Sequence, residues 1–399
     1  MTIKALETLR LGEFPNLVWV IIEDSDGVRG LGETFMEAAA VETYLHETVA
    51  PRLLEGRSSG VEEVRCRLKP YVGHQGAGIE QRGNSAVDIA LWDLWGRQTD
   101  QPVWQLLGGR VRESIRTYNT CAGYQYIRAS TGQHSENWGV DGQQAEGPYE
   151  DLQAFLTDAG TLAESLLDSG ISGMKIWPFD TYAETSEGAA ITPAQLSEGS
   201  EPFRKIRERV GEHMQVMLEC HSLWSVPAAR DIVRALQPYS LYWIEDPISI
   251  NNFSALADFR RSIDVKVTAS ETLATRAQFA ALMQAAAADI IMLDLAWCGG
   301  LTEAKAIASL AEAHHLPIAP HDCTGPVVWA ASCHLSVNAP NTLIQESVRA
   351  FYTGWYQELV DQLPELGNGE LAPPVGPGLG LNLHASLFDR DDAIHRRSD

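Results

Sequence analysis

The sequence is short of positive charge. Lysine and arginine number 30 against 53 aspartates and glutamates, a formal net charge of −23 over 399 residues. A surface that acidic repels phosphate backbones and anionic membranes, which argues against nucleic-acid and membrane partners. Long apolar runs are also missing: none approaches the roughly 18 uninterrupted apolar residues of a membrane span. The opening Met1-Thr2-Ile3-Lys4 leads into a strand pattern rather than a signal peptide. Cysteine is sparse. The six (Cys66, Cys121, Cys220, Cys298, Cys323 and Cys333) show no CxxC spacing, so no zinc ribbon or disulfide framework is indicated and a reducing cytoplasm is expected. An anionic substrate would need local positive charge, which a metal ion can supply.

What is present is the composition of an ordinary globular protein, 45% apolar and 21% charged. The length leaves room for one barrel of about 250 residues plus a second unit. Residues 17–23 and 28–34 read as a hairpin around the turn Asp24-Ser25-Asp26-Gly27, and residues 40–110 carry helical periodicity. From Ser114 the rhythm becomes strand then helix. Strands are predicted at 115–118, 173–177, 216–220, 241–244, 266–269, 290–295, 317–319 and 342–345. Eight such strands imply a (β/α)8 barrel with right-handed crossovers. An open doubly wound sheet is the alternative, but no GxGxxG follows the first strand. The predicted organisation is an α+β capping domain (1–113), the barrel (114–364) and a C-terminal segment (365–399) returning to the cap. Two long segments, 123–150 and 178–200, are predicted as loops at the barrel mouth that form part of a lid. The terminal HRRSD is expected to be disordered.

Three apolar runs each end in a carboxylate: Glu219, Glu245 and Glu271, each 26 residues after the last. That spacing fits one strand, a loop and a crossover helix. Single glutamates after strands are ordinary surface or helix-start carboxylates. Three in register at the C-terminal face of a barrel, where active sites of this fold lie, are not so easily dismissed. Converging oxygen ligands without cysteine favour Mg²⁺ or Mn²⁺ over zinc.

Four more polar residues fall at predicted strand ends. His221 lies two residues after Glu219, so in an extended strand both side chains share a side. Asp294 sits inside the apolar run IIMLDLAW and needs a partner. His321, on the neighbouring strand, is the natural one, because an Asp–His pair fixes the tautomer and raises basicity as a general base requires. Glu346 ends the eighth strand.

These positions, with AVDIALWDLWGRQTDQPVWQLLGG at 86–109 and DIIMLDLAWCGGLTEAKAIASLAEAH at 289–314, resemble the mandelate racemase subgroup of the enolase superfamily. The resemblance covers essentially the whole chain. It implies a modified TIM barrel with an α+β capping domain. It also implies a Mg²⁺ enzyme, held by Glu219, Glu245 and Glu271, that removes the proton α to a carboxylate. Asp294–His321 would supply the base. Glu346 would hydrogen-bond the substrate carboxylate as the protonated acid, with Lys175 and Asn119 also placed as substrate-binding residues. Many subgroup members carry Lys-x-Lys at the second strand, whereas this chain has Lys175-Ile176-Trp177, which puts racemisation in doubt. Glu219-Cys220-His221 resembles the Asp-x-His of acid-sugar dehydratases such as galactonate dehydratase, where the histidine protonates the departing 3-hydroxyl. The implied function is Mg²⁺-dependent dehydration of an aldonate or aldarate to a 2-keto-3-deoxy acid. The alternatives are racemisation, epimerisation or cycloisomerisation, and, in another class, a non-catalytic sugar-acid sensor. The expected partner is a small sugar acid, with specificity set around 11–15, 74–82 and 123–150, and the family's habit implies a homo-oligomer.

Overall fold

The computed structural model describes residues 2–58, 60–69, 76–128, 130–132, 147 and 149–399. Two sheets organise it. The first is antiparallel, in the order β14-β1-β2-β3, with β1 at Ile3–Leu11, β2 at Leu17–Asp24, β3 at Arg29–Phe35 and β14 at Ala393–Ser398. Strand β2 is apolar along both faces because both faces are covered. Val18, Val20 and Ile22 pack with Ala86, Ala90 and Leu94 of the helix Ile79–Thr99, while Leu17, Trp19 and Ile21 belong to the core shared with the barrel. Gly30 and Gly32 let that helix lie directly on β3. A Cβ at either would come 2.2 and 1.9 Å from the carbonyl oxygens of Ala90 and Ala86.

The second sheet is the barrel. Its strands are β4 (Ile115–Thr120), β5 (Gly173–Ile176), β6 (Gln215–Glu219), β7 (Trp243–Glu245), β8 (Val267–Ala269), β9 (Ile290–Leu293), β10 (Ile318–Pro320) and β11 (Gln345–Ser347). Each pairs parallel with the next from β4 to β10, and β11 pairs parallel with β4. The ring closes where the chain ahead of β11 bonds β10: Leu343 N–H donates to Ile318 O at 2.8 Å, and Ile318 N–H to Asn341 O at 3.0 Å. Seven of the eight parallel strands fall within about two residues of the predicted ranges, and the eighth lies later, at Gln345–Ser347, sharing only Gln345 with 342–345. Their buried inward residues, Tyr118, Met217, Trp243, Ile290, Met292 and Ala319 among them, fill the centre.

Three expectations change. The C-terminal HRRSD is ordered: β14 runs antiparallel to β1, from Ala393 opposite Leu11 to Ser398 opposite Leu6. Its charges are met by Glu7 and Glu47, which pair with Arg397 and Arg396. Polar composition does not report main-chain bonding to an open sheet edge. The stretch 178–200 is not a long loop, because it holds the helix Asp180–Ser186 and the start of the helix Pro193–Val210, capped by Thr192 and Gln195. The hairpin of β12 (Glu365–Gly367) and β13 (Glu370–Ala372) adds to β4 of the barrel, so the return to the cap begins after it, where Gly378 O accepts from Val103 N–H. Most of the 123–150 insertion (129, 133–146 and 148) lies outside the described residues, as does His74.

The cap is keyed into the barrel near its mouth by Glu33 of β3. Its Oε1 accepts from the backbone N–H groups of Val327 and Val328, in the first turn of the helix Pro326–Asn338, and Oε2 from Trp19 Nε1. Burial pushes this carboxyl up to about 8.

Candidate active site

Glu219 and Glu245 are the last residues of β6 and β7 and lie side by side in register. Glu271 follows β8 by two residues. One carboxylate oxygen of each lies within 4.8 Å of the others. Glu219 Oε1 accepts from the N–H groups of Cys220 and His221, at 2.9 and 2.7 Å, so the side chain curls back on its own backbone. Trp243 Nε1 holds Glu245 Oε2 at 3.0 Å. Lys175, at 2% exposure, lies 2.5 Å from Glu245, 3.0 Å from Glu346 and 3.2 Å from Glu219. Burial would depress this ammonium, but Glu245 and Glu346 outweigh it and hold it charged.

Lys175, Glu219 and Glu271 line a cavity of about 340 Å³ at the C-terminal ends of the strands. Phe35 and Met36 of the cap, Tyr126 and Ile127 after β4, Trp177 after β5 and Trp297 after β9 supply its apolar walls. The cap segment at 11–15 is not among the lining; Phe14 there packs against Trp355 and under Arg128.

His321 Nδ1 lies 2.6 Å from Asp294 Oδ2, and Asp294 Oδ1 accepts from Ala296 N–H at 2.6 Å, so the carboxylate is locked from both sides. His321 Nε2 is 3.0 Å from Glu271 and 3.8 Å from Glu346. Burial presses the ring toward neutrality, yet the carboxylates of Glu271, Glu346 and Asp294 lift it to about 10. Trp297 stacks on its face at 5.9 Å.

His221 enters from β6, four places along the ring of eight strands from β10, which carries His321. The two rings therefore approach from opposite sides of the mouth. His221 reaches the cavity for a different reason than strand alternation. The strand ends at Glu219, and His221 and Ser222 take left-handed backbone, φ 47° and 60°. Non-glycine residues adopt this conformation only sparsely. His221 Nδ1 lies 2.6 Å from Asp180 Oδ2, and Trp177 meets the ring edge-to-face at 6.0 Å. Burial again opposes charge and loses to Asp180 and Glu219, so the ring is raised to about 9.

Two residues sit differently from their expected roles. Asn119 is fully buried with both ends of its amide in use: Nδ2 donates to Asp151 at 2.9 Å and Oδ1 accepts from Arg349 N–H at 2.7 Å. Its neighbour Thr120 lines the cavity instead, because β4 residues alternate. Glu346, expected to act as a protonated acid, is here pressed the other way. Burial raises its carboxyl, but Lys175, His321, the Thr120 hydroxyl and the Asp322 N–H together hold it below the ordinary range.

Sequence reasoning missed Asp180 and Asp246. Asp246 follows Glu245 in the same IEDP run, so its position was visible. Its Oδ2 accepts from Ser270 Oγ at 2.6 Å, while Oδ1 is buried on the cavity wall without a hydrogen-bond partner. Asp180 follows a Trp-Pro-Phe turn with no spacing signal.

The donor set fits a hard divalent cation. Glu219, Glu271 and Asp246 line the cavity with Lys175 and two imidazoles, Glu245 and Glu346 meet Lys175 beside it, and Asp246 Oδ1 is buried without a hydrogen bond while Glu219 Oε2 meets the Lys175 ammonium. Carboxylate oxygens that outnumber the cations beside them make a donor set of the kind hard divalent cations take.

The comparisons with known proteins agree with this geometry. A family model described as enolase C-terminal domain-like matches residues 158–387, and the mandelate racemase / muconate lactonizing enzyme N-terminal domain matches 12–108. The chain belongs to the enolase superfamily, mandelate racemase subgroup. A solved enolase of that subgroup from Agrobacterium tumefaciens is 45% identical, with a TM-score of 0.87 over 100% of this chain and 99% of its own. An enolase from Sargasso Sea environmental sequencing is 41% identical, with a TM-score of 0.88 over 100% and 98%. D-galactonate dehydratase from Ralstonia pickettii is 28% identical over 394 residues, 97% of this chain and 93% of the relative. The fold is the superfamily's modified TIM barrel with its capping domain, and the chain is an enzyme.

Proposed function

We propose that the enzyme is a hydro-lyase that dehydrates a sugar acid, an aldonate or aldarate, to a 2-keto-3-deoxy acid. The observation that carries the reading is the pair of imidazoles, His221 and His321, each on its own carboxylate at opposite sides of one mouth. The relatives named D-galactonate dehydratase support the substrate class.

Glu219, Glu245 and Glu271 would hold Mg²⁺, which when bound neutralises the substrate carboxylate and the charge that develops on it. His321, oriented by Asp294, takes the proton from C2. Lys175 and Glu346 set the charge beside that carboxylate. The C2–H electron pair forms the C2–C3 double bond, the C3–O bond breaks, and His221 gives the leaving oxygen its proton. The resulting enol tautomerises to the 2-keto acid. With base and acid on opposite sides, proton and hydroxyl leave anti. Trp177 stands where a Lys-x-Lys enzyme carries its second base, and its indole, a donor without a basic lone pair, cannot take a proton from carbon.

Purified protein with Mg²⁺ is to be screened against aldonic and aldaric acids for 2-keto product. A hit is expected, with C2 and C3 configurations compatible with anti elimination. If the same acids in D2O exchange the α-proton without losing water, the reading moves to an epimerase, a reaction for which His221 would be the second face's proton donor. Absence of both product and exchange across the panel overturns the sugar-acid class.

A further inference from the structure

The proton donor of the proposed elimination is a histidine that does not hold itself in place. His221 sits in left-handed backbone immediately after a strand end, and its ring is fixed from outside by two residues of the β5 loop. Trp177 packs against one edge of the ring. Asp180, the first residue of the helix Asp180–Ser186, accepts from Nδ1. Asp180 is 1% exposed, and its Oδ1 has no hydrogen-bond partner, so the imidazole is the carboxylate's one hydrogen-bonded partner among the described residues. Burying a carboxylate for a single bond is costly, and Asp180 makes no side-chain cap for its helix. The position is accounted for by what it does to the ring.

We propose that Asp180 is a positioning residue for the acid step. By accepting the Nδ1–H of His221, it fixes the ring orientation that turns Nε2–H toward the leaving oxygen, and it holds the Nδ1–H tautomer that remains once that proton is given. The proposal rests on the dehydratase reading for the identity of that oxygen. In the step itself the His221 Nε2–H bond breaks and the C3–O bond breaks with its electron pair. The proton and the hydroxyl leave together as water, and the C2 proton has gone to His321. The neutral His221 that remains keeps Nδ1–H on Asp180. The dyad Asp180–His221 thus mirrors Asp294–His321 across the mouth, built from a loop instead of a strand end. The tryptophan that replaced the second lysine serves as one wall of its seat.

The test separates the acid step from the base step. Asp180→Ala is expected to lower dehydration of the panel substrate on the order of 10²-fold, as loss of an orienting partner does. α-Proton exchange in D2O should change by less than about threefold, since exchange uses His321. A 3-deoxy-3-fluoro analogue, whose fluoride leaves without needing a full proton, should also be eliminated near the wild-type rate. Asp180→Glu should restore part of the loss. Equal loss of dehydration, exchange and fluoride release would make Asp180 merely structural and overturn the proposal, as would unchanged dehydration. A readout independent of turnover accompanies these: ¹⁵N spectra of histidine-labelled protein, with His221 assigned from His221→Asn. The wild type should show a protonated Nδ1 at His221, and Asp180→Ala should redistribute it. If the wild type dehydrates nothing, the dehydratase reading falls, and the spectra still decide the dyad: an unchanged His221 tautomer in Asp180→Ala overturns it.

Discussion

His321 and His334 sit thirteen residues apart, both enclosed, at 5% and 0% exposure. Burial presses both rings toward the neutral form. His334 yields and falls to about 4, whereas His321, faced by Glu271, Glu346 and Asp294, rises to about 10. The sign comes from the neighbours, because desolvation acts alike on both. At the mouth of the barrel the chain has gathered carboxylates around a ring that must move a proton. Behind it, in the helix Pro326–Asn338, the ring is a packing piece with two neutral bonds: Trp104 N–H donates to Nδ1 at 3.3 Å, and Nε2 faces Leu379 O at 3.2 Å.

The largest effect comes from removing the mouth ring. His321→Asn should cut both turnover and α-proton exchange by about 10³-fold or more, the weight of a general base, and His221→Asn should cut dehydration while sparing exchange. Retention of exchange in His321→Asn, followed by NMR in D2O, would reassign the base. Next come the carboxylates. If they await a cation, Mg²⁺ should raise thermal stability by about 4 kcal/mol at a thousandfold excess over its Kd, reversibly with EDTA. In Glu271→Gln the same titration should give a much smaller shift in Tm. An unmoved wild-type Tm would remove the metal from the site.

How far the sequence alone reaches follows the same division. Strand ends repeat at a barrel's period, so Glu219, Glu245 and Glu271 could be placed by counting, and Asp294 betrayed itself as a charge in an apolar run. The eight parallel strands were legible for the same reason. Asp180 was not, because its partner lies 41 residues away across a loop whose length follows no rule. Asn119 failed by one position, since a strand's faces alternate and the choice between it and Thr120 depends on a pleat that spacing does not fix. The partners that pull the Glu346 carboxyl downward, Lys175 and the Asp322 N–H, come from other strands, and such pairing is a three-dimensional property. The C-terminal strand escaped because its stabilisation is main-chain pairing with β1, to which composition is blind.

The smallest expected effect tests the packing side of the comparison. His334 has a folded pKa of about 4, below the 6.5 of the unfolded chain, with burial as the cause. Between those values the unfolded chain takes up a proton that the native ring refuses, so stability is lost as pH falls from 6.5 to 4. At about 1.4 kcal/mol per pKa unit the full span is about 3 kcal/mol. Asp88, raised by burial to about 7, works in the opposite direction over the same window, because its native carboxyl keeps a proton the unfolded chain releases. The wild-type pH profile alone therefore mixes the two. The difference between wild type and His334→Gln does not, since the substituted amide can still donate to Leu379 O and carries no titrating group. Denaturant unfolding at pH 7.5 should show the variant less stable or equal, and at pH 5 the gap should close or reverse by about 1–2 kcal/mol. A gap that stays constant with pH would mean that His334 is protonated in the native state, and that enclosure without carboxylates is not enough to hold a histidine neutral in this fold.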